Sequence, residues 1–250
     1  MLLPCVGSGR QMDHFESTQW SLVVAAAQRV SPEAQQALSV LCRKYWLPLY
    51  GYVRRRVTDL HEAQDLTQEF FCRVLDHNLC AAACPERGRF RAFLLTSLKH
   101  FLANEWEKAR AEKRGGGQIP FTLDFADGES RISHIASSAE SPERQFDRQW
   151  ATALLDQVLV QRRAEFRDAG QESQFEQLKE FLAGGRDKPE GYGPAAAALG
   201  MTPAAVRVAA HRLRQRYREL LRHEIAQTVA QSGDVEDEIR DLFQILGGGQ

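Results

Sequence analysis

Seven basic side chains crowd one short stretch, 206–222: Arg207, His211, Arg212, Arg214, Arg216, Arg218 and Arg222, with Glu219 the one acid among them. Guanidinium groups at this density suit phosphate oxygens and acceptors on base edges, so the chemistry on offer is recognition of nucleic acid rather than bond making. A second set is carboxylic: Glu62, Asp65 and Glu69 in HEAQDLTQEFFCRVL (61–75). Acid–base catalysis would need two such groups in a pocket with a nucleophile or a metal, and no such constellation is visible. They read as a cap and a solvated helix face, and the chain is not expected to be an enzyme or to need a cofactor. A third set interleaves Lys99, His100, Asn104, Lys108, Arg110, Lys113 and Arg114 with Trp106, a mixture suited to a partly melted strand. His77, Cys80 and Cys84, with Cys72 nearby, lack a CxxC pair or a tetrahedral ligand set, so no metal is expected.

The arginines need a scaffold, and 191–222 describes one. A small-residue helix at 195–199 runs into Gly200, where the left-handed conformation ends helices. Thr202 then caps a new helix with Pro203 in its first turn. So short a turn makes the two helices cross steeply, and Val206, Ala210, Leu213, Tyr217 and Leu220 recur at helical steps as the buried stripe.

Elsewhere the periodicity is also helical. Helical signals begin near Ser17, and Ser31-Pro32-Glu33 opens a helix toward Arg56, kinked at Pro48. Asp59 and Glu62 form a capping box for a helix ending near His77. A helix at 91–114 buries Phe93, Leu94, Leu98, Phe101 and Leu102, with Phe90 just ahead of it, and stops at three glycines. From Gly115 to about Glu140 the periodicity disappears, which reads as a flexible linker. Ser141-Pro142-Glu143 repeats the cap–proline–acid signature, and Phe146, Trp150, Leu154, Leu155, Val158 and Leu159 follow as a core stripe. A further helix is expected at about 171–183. Arg54, Arg55 and Arg56 read either as a helix-terminal charge cluster or as contacts to a DNA backbone, with the former favoured.

The expected fold is all-α, with two helical domains. The leader is 1–14, the first domain 15–114, the linker 115–140, the second domain 141–223, and an acidic, amphipathic extension occupies 224–250. The 250 residues carry a net charge of −1, so any binding of nucleic acid must come from local patches. The five cysteines fit reduced thiols, and no apolar run approaches a membrane span. The expectation is a cytoplasmic protein that does not engage a membrane.

HEAQDLTQEFF (61–71), PERGRFRAFLLTSLKHFLANEW (85–106) and LGMTPAAVRVAAHRLRQRYRELL (199–221), in that order, resemble the sigma-70 family of RNA polymerase initiation factors, of the small two-domain extracytoplasmic-function type. The resemblance implies that Asp65, Leu66, Gln68, Glu69 and Arg73 dock on the β′ clamp helices of core polymerase. It implies that the loop 85–91, with Arg89 and Arg91, and Lys99, His100, Asn104 and Lys108 beyond it, capture unpaired bases of the −10 promoter element. Thr202, Pro203, Ala204, Arg207, Val208, Ala209, His211, Arg212 and Arg214 then lie at or near the −35 duplex, and the second domain also docks on the β flap. His100 stands where many relatives place asparagine, and Ala204 and Ala209 where they often place polar readers, which bears on the promoter sequence read. An anti-sigma protein or another regulator fits the same plan. The rival reading is a stand-alone helix-turn-helix repressor or activator, dimeric on a palindromic site.

Overall fold

A computed structural model of the protein describes residues 32–75, 89–109, 123–133, 140–182, 191–229 and 233–247. The leader, the first expected helix near Ser17, the loop 76–88 and the three glycines at 115–117 lie outside the described residues. What is described is all-α, as the periodicity requires, with one isolated antiparallel bridge between Arg89 and Val229.

Helix α1 (Pro32–Arg54) is the spine of the first core. Pro48 lies inside it and leaves the carbonyl four residues earlier without its usual donor. Leu38, Cys42, Tyr45, Leu49, Tyr50 and Val53 are buried along its length. Helix α2 (Leu60–Leu75) begins where Asp59 Oδ1 accepts the Glu62 N–H at 2.8 Å, the cap its sequence promises. Its Phe70 and Phe71 are fully buried. Helix α3 (Phe90–Ala109) supplies Phe90, Leu94, Leu98 and Leu102 to the same core.

The stretch read as a linker is not structureless. Helix α4 (Phe125–Ser133) lies within it, started by Asp124 Oδ1 accepting the Asp127 N–H at 3.0 Å. Nine residues around a glycine make a poor helix alone. It is held by packing: Phe125 meets the rings of Trp46 and Tyr50 edge-on at 6.0 and 4.9 Å, and Ile132 is buried. Glu129 accepts from Tyr50 Oη and Arg54 Nε, both at 2.7 Å. The apolar positions were present in the sequence; their partners on α1 were not visible there.

Helix α5 (Pro142–Asp168) is capped by Ser141 Oγ, which accepts the Arg144 N–H at 3.3 Å. It is followed by α6 (Glu172–Leu178) and a 3-10 turn (Lys179–Phe181), then α7 (Gly193–Leu199), α8 (Pro203–Ala226) and α9 (Asp234–Gly247). There are two apolar cores among the described residues, and α5 and α8 each serve both. Phe146, Trp150, Ala151, Leu154 and Val158 of α5, with Leu220, Leu221 and Ile225 of α8 and Val235 and Leu242 of α9, complete the core of α1–α3. The far end of α5 gives Phe166 to the second core, formed with Phe175, Leu178, Phe181, Ala195, Ala196, Val206, Ala210 and Leu213. Thus the apolar core continues past position 141, where the second domain was expected to begin, and α8 runs three residues beyond 223.

Candidate nucleic-acid interface

The basic helix is presented as its sequence implies. Gly200 ends α7 at φ +62°, a left-handed position natural to glycine. Thr202 Oγ1 accepts the Ala205 N–H at 3.2 Å, with Pro203 in the first turn. Replacing Thr202 by alanine should cost about 1 kcal/mol, read as a lower denaturation midpoint with the second core intact. Val206, Ala210, Leu213 and Leu220 are buried, and the half-buried Tyr217 donates its hydroxyl to the Leu155 carbonyl at 3.1 Å. The opposite side exposes Thr202, Pro203, Ala204, Arg207, Val208, His211, Arg212 and Arg218, with Arg214 half-buried. None of Arg207, Arg212, Arg214 and Arg218 has a carboxylate partner among the described residues, whereas Arg216 is held by Glu165 at 2.7 Å and Arg222 pairs with Glu236.

The acidic face of α2 is divided. Asp65 is exposed, while Leu66 packs against the first core and Gln68 is half-buried. Glu69 and Arg73 form an ion pair one turn apart, and Arg73 reaches on to Glu105 of α3 at 2.8 Å and lies over the Phe101 ring at 4.6 Å. Arg73 therefore ties α2 to α3 and is not simply presented outward.

On α3, His100 and Asn104 are exposed one turn apart, and Trp106, 42 % exposed, lies on a different side of the helix. The side chain of Lys108 and the loop residues 85–88 lie outside the described residues. The other three basic residues expected on this surface are engaged by the second half of the chain. Lys99 pairs with Glu143 of α5 at 3.0 Å. Arg89 contacts Asp241 and meets Glu238 at 2.9 Å, both on α9. Arg91 reaches Glu238 at 2.7 Å, Asp147 of α5 at 2.5 Å and Asp241 at 3.3 Å, and stacks on the Trp150 ring at 4.6 Å. Burial pushes the Asp147 carboxyl up despite the opposing pull of Arg91. None of these four carboxylates figured among the expected site residues. The signal that would have raised them is the acidic, amphipathic run at 234–241, close behind a basic helix.

The Lys99 ammonium, donating to Glu143, holds that carboxyl down at about 2 against an ordinary 4.5. A lowered carboxylate adds stability that is present above the ordinary value and lost as pH falls toward the folded one. Glu143→Gln should thus be less stable than the parent at neutral pH, with the gap closing between about pH 4.5 and pH 2, followed by thermal midpoint against pH.

The three arginines at the end of α1 are engaged within the protein by later helices. Arg54 binds Glu129, Arg55 donates to Gln145 at 2.5 Å, and Arg56 stacks on Tyr52 at 3.9 Å and reaches Glu143 at 3.3 Å. Of the cysteine–histidine set, only Cys72 is described, and it is buried. No described helix is long and apolar enough to cross a membrane.

Residues 41–112 match the family described as Sigma-70 region 2, a segment that takes in most of α1 and all of α2 and α3. No curated protein and no solved structure matches the chain. The first core is thus built around a segment that matches the Sigma-70 region 2 family.

Proposed function

We propose that the protein is a dissociable promoter-specificity subunit of RNA polymerase, of the small extracytoplasmic-function type. The observation that carries the reading is the coincidence of two features in one chain. A sigma-70 region 2 segment occupies 41–112, and a capped, two-residue turn delivers an arginine-rich helix 90 residues further on, with its outer arginines unpaired among the described residues. A stand-alone dimeric regulator would use the second feature and leave the first without a purpose.

In this reading the α2 face, centred on Asp65 with Leu66, Gln68 and Glu69, meets the β′ clamp helices. Lys99, His100 and Asn104, with Arg89 and Arg91 at the start of α3, meet the unpaired −10 strand. Pro203, Arg207, His211 and Arg212 meet the −35 duplex, and the second domain docks on the β flap. No covalent chemistry is involved: trapping unstacked bases drives melting, at about 1–3 kcal/mol per stacked base.

The test is titration of core polymerase with the full chain, followed by native gel or light scattering. A one-to-one complex is expected, weakened about tenfold by Asp65→Ala, the scale of one well-buried interface contact. Arg207→Ala should leave that complex intact and weaken −35-dependent initiation by about 1–3 kcal/mol if it reads a base edge. A chain that ignores polymerase and binds duplex DNA as a dimer would be the stand-alone regulator instead.

A further inference from the structure

Three carboxylates, Asp147, Glu238 and Asp241, converge on two guanidiniums, Arg89 and Arg91. The cluster is net negative although it is centred on two arginines, so a phosphate approaching it is repelled rather than drawn in. Two of the carboxylates belong to α9, which lies across the start of α3 and the end of α8. Val235 and Leu242 anchor it in the first core, Glu236 pairs with Arg222, and just ahead of it Val229 bridges Arg89 while the Phe90 N–H donates to the Thr228 carbonyl at 3.0 Å. Glu238 is 1 % exposed, a position where a carboxylate is tolerated only with cations fixed around it. Burying these ion pairs contributes little net stability, because desolvation offsets much of the attraction. What the arrangement does achieve is to occupy specific charges.

We propose that α9 is an internal competitor for nucleic acid: its Glu238 and Asp241 hold Arg89 and Arg91 in place of strand phosphates, and α9 must leave the first core before those arginines can bind. The inference rests on the reading that this end of α3 faces single-stranded DNA. It adds that the free protein is closed on this side while the outer arginines of α8 stay open.

The experiment uses the full chain and a fluorescein-labelled oligothymidine of about 16 nucleotides, the upper site size of one single-strand module, read by anisotropy. The variant is Glu236→Gln with Asp241→Asn, an exposed and a half-buried position of α9 that leave its apolar anchors Val235 and Leu242 unchanged. Its control is Asp168→Asn with Asp237→Asn, which removes the same amount of charge without touching Arg89, Arg91 or Arg222. The α9 variant should bind about tenfold tighter than the parent, with a salt dependence of log K steeper by about 1.4, the value for two additional phosphate contacts on a single strand, while the control changes little. Adding Arg89→Gln to the α9 variant should remove about half of the gain in slope. Equal affinity of the α9 variant, control and parent would overturn the proposal. A second readout needs no variant: backbone hydrogen exchange of 234–247 should accelerate when the parent is saturated with the oligonucleotide, and unchanged protection in the bound state would also overturn it. Polymerase binding through Asp65 is a separate measurement, so loss of the initiation-factor reading and loss of the α9 reading give different results.

Discussion

Arg91→Ala is expected to destabilise the protein by about 3 kcal/mol, measured by denaturant unfolding at neutral pH. The cause is less the removal of the guanidinium itself than the carboxylates it leaves behind. Glu238 remains 1 % exposed, with Arg89 at 2.9 Å as its remaining ion-pair partner among the described residues, and Asp147 is deprived of the guanidinium that opposed its burial. Removing one member of a buried pair leaves a charge that water can no longer reach, at a cost of about 3–5 kcal/mol, and the surviving Arg89 pair sets the expectation at the lower end. The same logic gives a control with opposite sign. Arg91→Met combined with Glu238→Met replaces both charges with apolar volume and should recover most of the stability. A single substitution that proved nearly neutral would mean that α9 is already released in solution.

Trp150→Ala is expected to have the larger effect, about 3–5 kcal/mol. Trp150 is 3 % exposed, its Nε1 donates to Tyr45 Oη at 3.2 Å, and its ring supports Arg91. Tyr45 is buried, so the lost indole N–H leaves its oxygen short of a donor that bulk water does not readily replace. Because α5 carries Trp150 in one core and Phe166 in the other, the substitution should lower the unfolding midpoint reported by probes in either core. A shift seen in the first core alone would show that the two melt separately.

Much of the architecture was legible because its signals are local. The turn from α7 to α8 is written within a few residues: Gly200 to end one helix, Thr202 to cap the next, Pro203 to start it. Asp59 and Ser141 announced the starts of α2 and α5 in the same way. The apolar stripe and the exposed arginines of the basic helix could be read because they lie on one segment, whereas the pairing of Arg216 with Glu165 and of Arg222 with Glu236 could not. The closure of the arginines on α3 could not. Arg89 and Asp241 are 152 positions apart, and Arg91 and Asp147 are 56 apart, distances at which charge pattern carries no pairing information. The α4 helix was hidden for a related reason: its stability comes from Trp46 and Tyr50 on α1, not from its own propensity. Arg73 shows a third kind of limit. Its position pointed to a partner protein, while its geometry commits it to Glu69, Glu105 and the Phe101 ring.

The way the first core is completed also sets an order in time. Leu38, Phe70 and Phe90 are made early, yet the core they line is closed by Leu220, Ile225, Val235 and Leu242, which the ribosome adds far later. Arg91 and Asp241 are 150 positions apart, which at ribosomal rates of about 5–20 residues per second is roughly eight to thirty seconds of synthesis. Until α9 is made, the nascent chain lacks both the apolar residues that close the core and the carboxylates that hold Arg89, so the newborn protein meets chaperones and nucleic acid in a state that the finished one no longer presents.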